Sequence, residues 1–350
     1  MPCSVFANVK IKGISCVIPP KELSLLDEPE LYDGDKKKID RIINSSGFLK
    51  RRVTEPQVMT SDLCHTAATD LLKQLDIAPA SIDGMLFVSY TPDYLMPATS
   101  YVLHRRLGLS TDCIAMDIPQ ACSGYEIGLF QASMLLNSGC KRVLLLVGDS
   151  FSKFSDMFAN HTAPVFGDAG TATLVEHDET APRTYFNIFS DGRGYDALIC
   201  PNGGFRNVPS PGNFYENGRF RYGARMDGGR IFDFTLREIA PSINALLTQA
   251  RCSKEEIDYF VMHQANRFIL QNIARQLEIA EEKIPMSTIS QYGNQCGASV
   301  PCAIADVLPK DVSTRRLKLL LSGFGVGLSW ANAIIETDRI YCSPLIEYKG

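Results

Sequence analysis

The chain has no closely paired cysteines, no long apolar run and little surplus charge. Its eleven cysteines fall singly at 3, 16, 64, 113, 122, 140, 200, 252, 296, 302 and 342, never as C-x-x-C. That spacing argues against a zinc site and a disulfide framework, and for a reducing, cytoplasmic setting. No apolar stretch approaches 18 residues, so no membrane span is expected, and Met1–Lys10 lacks the basic start and apolar core of a signal peptide. A net charge of −4 gives no global pull toward nucleic acid or an anionic membrane. With 45% hydrophobic and 21% charged residues, the 350-residue chain reads as two globular domains or one large duplicated one.

The stretch around Cys122 organises the sequence. Residues 113–139 read CIAMDIPQACSGYEIGLFQASMLLNSG: a short apolar run, a turn carrying Cys122, then an apolar helix-length segment from Ser123 to Ser138, stopped by Gly139. A thiol just before a helix N-terminus meets unpaired N–H groups and a partial positive charge, which favour thiolate. A buried structural Cys reads the same way, so Cys122 needs partners.

Those partners are sought in a repeat. Val9–Ile18, Gly84–Tyr90 and Lys141–Val147 read as strands, Leu63–Leu75 and Tyr101–Leu107 as helices, and residues 166–175 as a Gly-rich turn into a strand. Ser81-Ile82-Asp83 with GMLFVSY recurs 175 positions later as Glu256-Ile257-Asp258 with YFVMHQA. The same shift carries Val143–Gly148 onto Lys318–Gly323 and sets Cys122 opposite Gly297. Two similar α/β halves with mainly parallel sheets follow, packed so that their equivalent turns meet. The basic clusters Lys36-Lys37-Lys38 and Lys50-Arg51-Arg52 read as solvated faces.

The second-half turns hold His263 at the end of a strand, Asn294 beside Gly293, and Gly323–Gly327 after what reads as the last core strand. Each alone has an ordinary structural explanation. Together with Cys122 they are thiol, imidazole, amide and approachable backbone on equivalent turns.

In this order and spacing, DIPQACSGYEIGL, FGDAG, HQAN, GN-x-x-GAS and GFGVGLSW resemble the β-ketoacyl-acyl carrier protein synthase III family of the thiolase superfamily, across residues from about 5 to 336. The resemblance implies a five-layered αβαβα thiolase fold of two pseudo-equivalent halves, 1–180 and 181–350, as a homodimer. It assigns Cys122 as nucleophile, His263 and Asn294 as catalytic partners, and the N–H groups of Cys122 and Val326 as oxyanion hole. The implied reaction is a decarboxylating Claisen condensation through an acyl-Cys, in which a neutral imidazole suits His263. It needs no metal or redox cofactor, because the substrates carry phosphopantetheine as carrier-protein or CoA thioesters.

The resemblance also places Arg41, Asn160, Phe232, Asn266 and Met96 at substrate, with Met96 at the acyl pocket of the neighbouring subunit. Where CoA-using members have a Trp and two Arg residues, this chain has Arg41, Ser45 and Asn160. A stacked base and two phosphate partners are then missing, unless Arg41 stacks or Lys50 or His161 replaces the charge. A primer delivered on acyl carrier protein is the resulting expectation, with Lys50, Arg51 and Arg267 as docking residues.

Three rival readings remain. Transfer of an acyl group to a hydroxyl or amine without decarboxylation has less use for Asn294. Hydroxymethylglutaryl-CoA synthase-like chemistry needs a carboxylate, and residues 88–98 offer only Asp93. A non-catalytic partner subunit would lack Cys122.

Overall fold

Alternate residues of the strand Arg142–Asp149 face opposite ways, and both faces are apolar: Val143, Leu145 and Val147 enter one core, Leu144 and Leu146 another. The strand Arg316–Gly325 repeats the arrangement, with Leu317, Leu319 and Leu321 in the first of those cores and Leu320 and Phe324 in a third. A sheet buried on both faces needs a layer on each side, and five layers result. The structure, a computed structural model, describes residues 3–32, 34–153, 165–208, 215–216, 219–220 and 223–350.

The central layer holds the helices Gly124–Asn137 and Ser299–Val307, both lined by the shared core. On one side lies a seven-stranded sheet covered by Thr60–Gln74 and Thr99–Leu107. On the other lies a five-stranded sheet covered by Gly228–Ala250 and Arg267–Leu277. This is the αβαβα thiolase fold.

The repeat is present in the fold. Val9–Ile18 and Thr184–Ser190 begin 175 residues apart, as do Gly84–Val88 and Tyr259–Met262, and the two central helices. The halves are nevertheless interlocked. Ser4–Phe6 adds to the five-stranded sheet through Thr184–Ser190, and Tyr341–Cys342 and Ile346–Glu347 pair with Val9–Ile18 in the other.

The sheets are mixed, not mainly parallel. Arg142–Asp149, Gly84–Val88 and Ile114–Ile118 run parallel, but Ala169–His177 pairs antiparallel with both of its neighbours. In the other sheet only Tyr259–Met262 and Arg316–Gly325 are parallel. Gly323–Gly327 is likewise not the end of the last core strand. It leads into Ser329–Asp338, which returns antiparallel along its whole length. Among the described residues no helix is long and apolar enough to cross a membrane.

Candidate active site

Cys122 lies two residues ahead of the helix Gly124–Asn137, at 7% exposure. Its turn is closed by Gly124 N–H donating to Ala121 O at 2.7 Å. Two glycines of the second half let that turn come close. A side chain on Gly325 would stand 2.7 Å from Cys122 Sγ, and one on Gly297 would stand 2.5 Å from Ala121 O. Ser123 Oγ meets Ser329 Oγ at 2.8 Å, and Ser329 Oγ donates to Val326 O at 2.8 Å, so the hairpin turn carrying Val326 is stapled to the nucleophile turn.

Asn294 is held by the FGDAG segment. Its N–H donates to Val165 O at 2.7 Å, and its carbonyl accepts from Gly167 N–H at 3.0 Å. Asp168 of the same segment is buried and accepts from Thr54 N–H and Thr54 Oγ1 at 2.8 Å, from Ser152 N–H at 2.9 Å and from the Ser152 hydroxyl. The Asn294 side-chain oxygen accepts from Cys296 N–H at 2.9 Å, leaving its NH₂ available as a donor.

His263 follows Tyr259–Met262 and is pinned by its own N–H to Ser322 O at 2.8 Å. Its Nδ1 lies 2.9 Å from Ser299 Oγ and 3.1 Å from Cys296 O, and its ring packs edge-on against Phe324. With Nδ1 turned to those groups, Nε2 is the atom left for chemistry.

These groups act together on the Cys122 thiol, which is held well below the ordinary thiol range. A hydrogen bond from Cys296 contributes most, followed by the charge and hydrogen bond of His263 and the Val326 backbone N–H, all against the opposing effect of burial. Burial pushes the Cys296 thiol well up, as do its hydrogen bond to Cys122 and the neighbouring thiolate charge. Thiolate therefore resides on Cys122.

Two cavities meet at Cys122. The larger, about 790 Å³, runs past Phe166, Leu198 and Ala224 toward Thr60, Asp93 and Lys153. The smaller, about 330 Å³, reaches His263 and Asn294 and opens between Ile42 and Ser46 on one side and Phe232 and Asn266 on the other. Among the described residues no Lys, Arg, Asp or Glu lines the smaller one.

The remaining sequence candidates divide. Phe232 lines the smaller cavity and stacks on Phe268 at 5.4 Å. Asn266 lines it too, while its side chain caps the following helix through Ile269 N–H at 2.8 Å. Arg41 is exposed on the helix Lys36–Ser46, where its Nε donates to Lys37 O at 3.3 Å; Ser45, also exposed, bonds back to Ile42 O. Asn160 and His161 lie outside the described residues. Met96 is 82% exposed and outside both cavities of this chain, whereas Tyr94 and Leu95 line the larger one. Asp93 also lines it, accepting from Ser61 Oγ at 2.8 Å, and burial raises its carboxyl.

Arg51 requires a correction. It is 3% exposed and forks onto Glu28 at 2.5 and 2.8 Å, so it braces the Glu28 turn and offers no charge for docking. Lys50 is half-exposed and paired with Glu22 at 2.8 Å, and Arg267 packs over Gly47. Cys296 and Ser299 were missed as site residues. Both lie inside GN-x-x-GAS, but nothing in that string shows that their backbone and hydroxyl hold the side chains of Asn294 and His263.

Known proteins share this architecture. Residues 116–192 match the family described as 3-oxoacyl-[acyl-carrier-protein (ACP)] synthase III, and residues 247–337 match its C-terminal family. The chain is 33% identical to a β-ketoacyl-[acyl-carrier-protein] synthase III of Streptococcus mutans, over 93% of this chain and 98% of that one. It is 32% identical to the Clostridium tetani protein of the same name, over 94% and 98%. A crystal structure of 3-oxoacyl-(acyl-carrier protein) synthase from Burkholderia xenovorans superposes with a TM-score of 0.93 at 35% identity, covering 99% of both chains. With the thiol, imidazole and amide of this fold converging where its two halves meet, the chain belongs to the 3-oxoacyl-[acyl-carrier-protein] synthase III family of the thiolase superfamily.

Proposed function

We propose that this condensing enzyme joins an acyl thioester to a malonyl thioester on acyl carrier protein, with loss of CO₂, through an acyl-Cys122 intermediate. The observation that carries the reading is the pair of cavities meeting at one thiolate, with His263 and Asn294 lining only the smaller. An acyl chain fits the larger cavity, whose volume exceeds what acetyl needs. A pantetheine arm fits the smaller one, which no described Lys, Arg, Asp or Glu lines.

The Cys122 thiolate attacks the acyl carbonyl, and the N–H groups of Cys122 and Val326 hold the oxyanion. The carrier thiol leaves with a proton. A malonyl thioester then sets its carbonyl oxygen between Nε2–H of His263 and the NH₂ of Asn294. Loss of CO₂ leaves an enolate on those donors, and its carbon attacks the acyl carbonyl and releases Cys122. Because Asn294 presents its NH₂ beside His263, transfer without decarboxylation is the weaker reading.

Ser299 positions His263. Its hydroxyl donates to Cys296 O at 2.7 Å and its oxygen lies 2.9 Å from Nδ1, which fixes the ring with Nε2 left for the substrate. No metal or redox cofactor enters these steps, and phosphopantetheine arrives with the substrates.

For carrier docking the helix Lys36–Ser46 is better placed than Lys50 or Arg51. It borders the smaller cavity through Ile42 and Ser46, and Lys36, Lys37 and Arg41 are exposed on it. A homodimer is part of the proposal. Ile114–Ile118 is an edge strand of the seven-stranded sheet with Ile114 and Met116 exposed, and Tyr94, Leu95 and Met96 are exposed as well. Incubation with acyl-CoA and acyl-carrier-protein panels, read by intact mass, tests the reading. Chains longer than acetyl, delivered by the carrier, should load Cys122 best; loading confined to acetyl-CoA contradicts it.

A further inference from the structure

Three thiols line the larger cavity, those of Cys122, Cys200 and Cys296. Only Cys296 joins Cys122 in one buried cluster, together with Ala121 and Phe166. Cys296 is 1% exposed and left-handed at φ +51°, an uncommon conformation for a residue with a Cβ. Its N–H is tied to Asn294 Oδ1 at 2.9 Å and its carbonyl to Ser299 Oγ at 2.7 Å. The backbone is thus locked on both sides, and the side chain is held in one cluster with Cys122 at the cavity wall. The condensation uses no second thiol.

A thiolate at the floor of an open cavity is the form of cysteine that hydroperoxides oxidise, and a neighbouring thiol can capture the product. We propose that Cys296 is the resolving thiol of Cys122: after a hydroperoxide converts the Cys122 thiolate to a sulfenic acid, Cys296 closes a Cys122–Cys296 disulfide that a thiol reductant reopens. In the first step a Cys122 S–O bond forms, the peroxide O–O bond breaks and hydroxide leaves, so sulfur is oxidised by two electrons and peroxide reduced by two. In the second step Cys296 loses its proton, its sulfur attacks Cys122 sulfur, the S–O bond breaks and the oxygen departs as water. In sum, two thiols and one hydrogen peroxide give one disulfide and two waters.

The charge arrangement favours this order. Burial and, after it, the neighbouring Cys122 thiolate keep the Cys296 proton on, and the thiolate's share disappears when Cys122 becomes a neutral sulfenic acid. The disulfide would spare Cys122 the further, irreversible oxidation to sulfinic acid. A second thiol pair serves as an internal comparison. Cys16 and Cys302 are hydrogen-bonded and both fully buried in the central core, and neither lines a cavity described above. Burial, chiefly, pushes the Cys16 thiol well up, so this pair should stay reduced.

The inference needs Cys122 as a thiolate but nothing of the condensation, so the test reads oxidation alone. The purified chain is treated with stoichiometric hydrogen peroxide, then measured by intact mass and non-reducing peptide mapping, before and after dithiothreitol. The expected result is the loss of two hydrogens, one Cys122–Cys296 cross-linked peptide, and loss of thioester acylation that dithiothreitol restores. Cys296→Ser should instead gain one oxygen on Cys122, trapped as a sulfenic acid by dimedone, and excess peroxide should carry it on to a sulfinic acid whose lost acylation, relative to its own untreated sample, dithiothreitol does not restore. A Cys122–Cys200 cross-link, or oxygen gain on wild-type Cys122 without a cross-link, overturns the proposal. So does a cross-linked Cys122 in Cys296→Ser. The wild-type map decides the matter even should the variant not fold.

Discussion

Asn294 and Cys296 are joined across one residue, the Asn294 amide oxygen accepting the Cys296 N–H at 2.9 Å. That bond turns the amide so that its NH₂ faces the smaller cavity, beside His263. A donor already aimed at a developing enolate needs no reorganisation when charge appears.

Removing that donor should separate the two half-reactions. In Asn294→Ala, acyl transfer to Cys122 should persist while CO₂ release from a malonyl thioester falls about 10²-fold or more. Radiolabelled malonyl donor and intact mass read the two steps separately. Lost acylation with intact decarboxylation would reverse the assigned roles.

Ser299→Ala should lean the same way by a different route. Without the hydroxyl, Nδ1 loses one of its two fixed partners and keeps only Cys296 O, so the ring is held less firmly with Nε2 toward the substrate carbonyl. Decarboxylation should fall more than acylation, and Ser299→Thr should recover part of it. Equal losses in both steps would mean that Ser299 only supports the fold.

Glu126 gives a stability prediction with a definite sign. It is fully buried one turn into the helix after Cys122, its Oε2 filling the space where a Gly323 side chain would be, and burial holds its carboxyl well above the usual range. The folded state keeps a proton that the unfolded chain releases above about pH 4.3. Stability present below that pH is therefore lost as pH rises toward the folded value. Glu126→Gln, which cannot ionise, should match wild-type Tm near pH 4 and exceed it at pH 7. A Tm difference independent of pH would exclude Glu126 as the group responsible.

Charge on the helix Lys36–Ser46 should matter only for a protein-borne donor. Lys37→Glu with Arg41→Glu should raise KM for acyl-carrier protein at low salt and leave acyl-pantetheine unchanged. A parallel rise for both donors would place these residues at the pantetheine arm itself.

Much of this was legible in the sequence because buried strands are written as continuous apolar runs. GMLFVSY, VLLLVG and KLLLSG mark strands covered on both faces, and their common spacing revealed the duplication. The pairing of Cys122 with Gly297 came out one residue away, with Gly297 against the carbonyl of Ala121. The exchanged terminal strands were not readable, since two- and three-residue edge strands carry no periodicity, and the antiparallel pairing was not, since a buried apolar run does not encode its direction. Arg51 looked like surface charge because its partner Glu28 is brought to it only by folding. The role of Cys296 depends on a left-handed backbone that no residue type announces.

The most direct test of the central claim is a single turnover. Enzyme carrying one acyl group on Cys122 is mixed with malonyl-acyl carrier protein, and CO₂, product and enzyme mass are followed together. The account predicts one CO₂ and one β-ketoacyl thioester for each acyl-Cys122 consumed, and neither from Cys122→Ala. Discharge of acyl-Cys122 to a hydroxyl or amine, or to water, with no CO₂ released and no carbon–carbon bond formed, would contradict it.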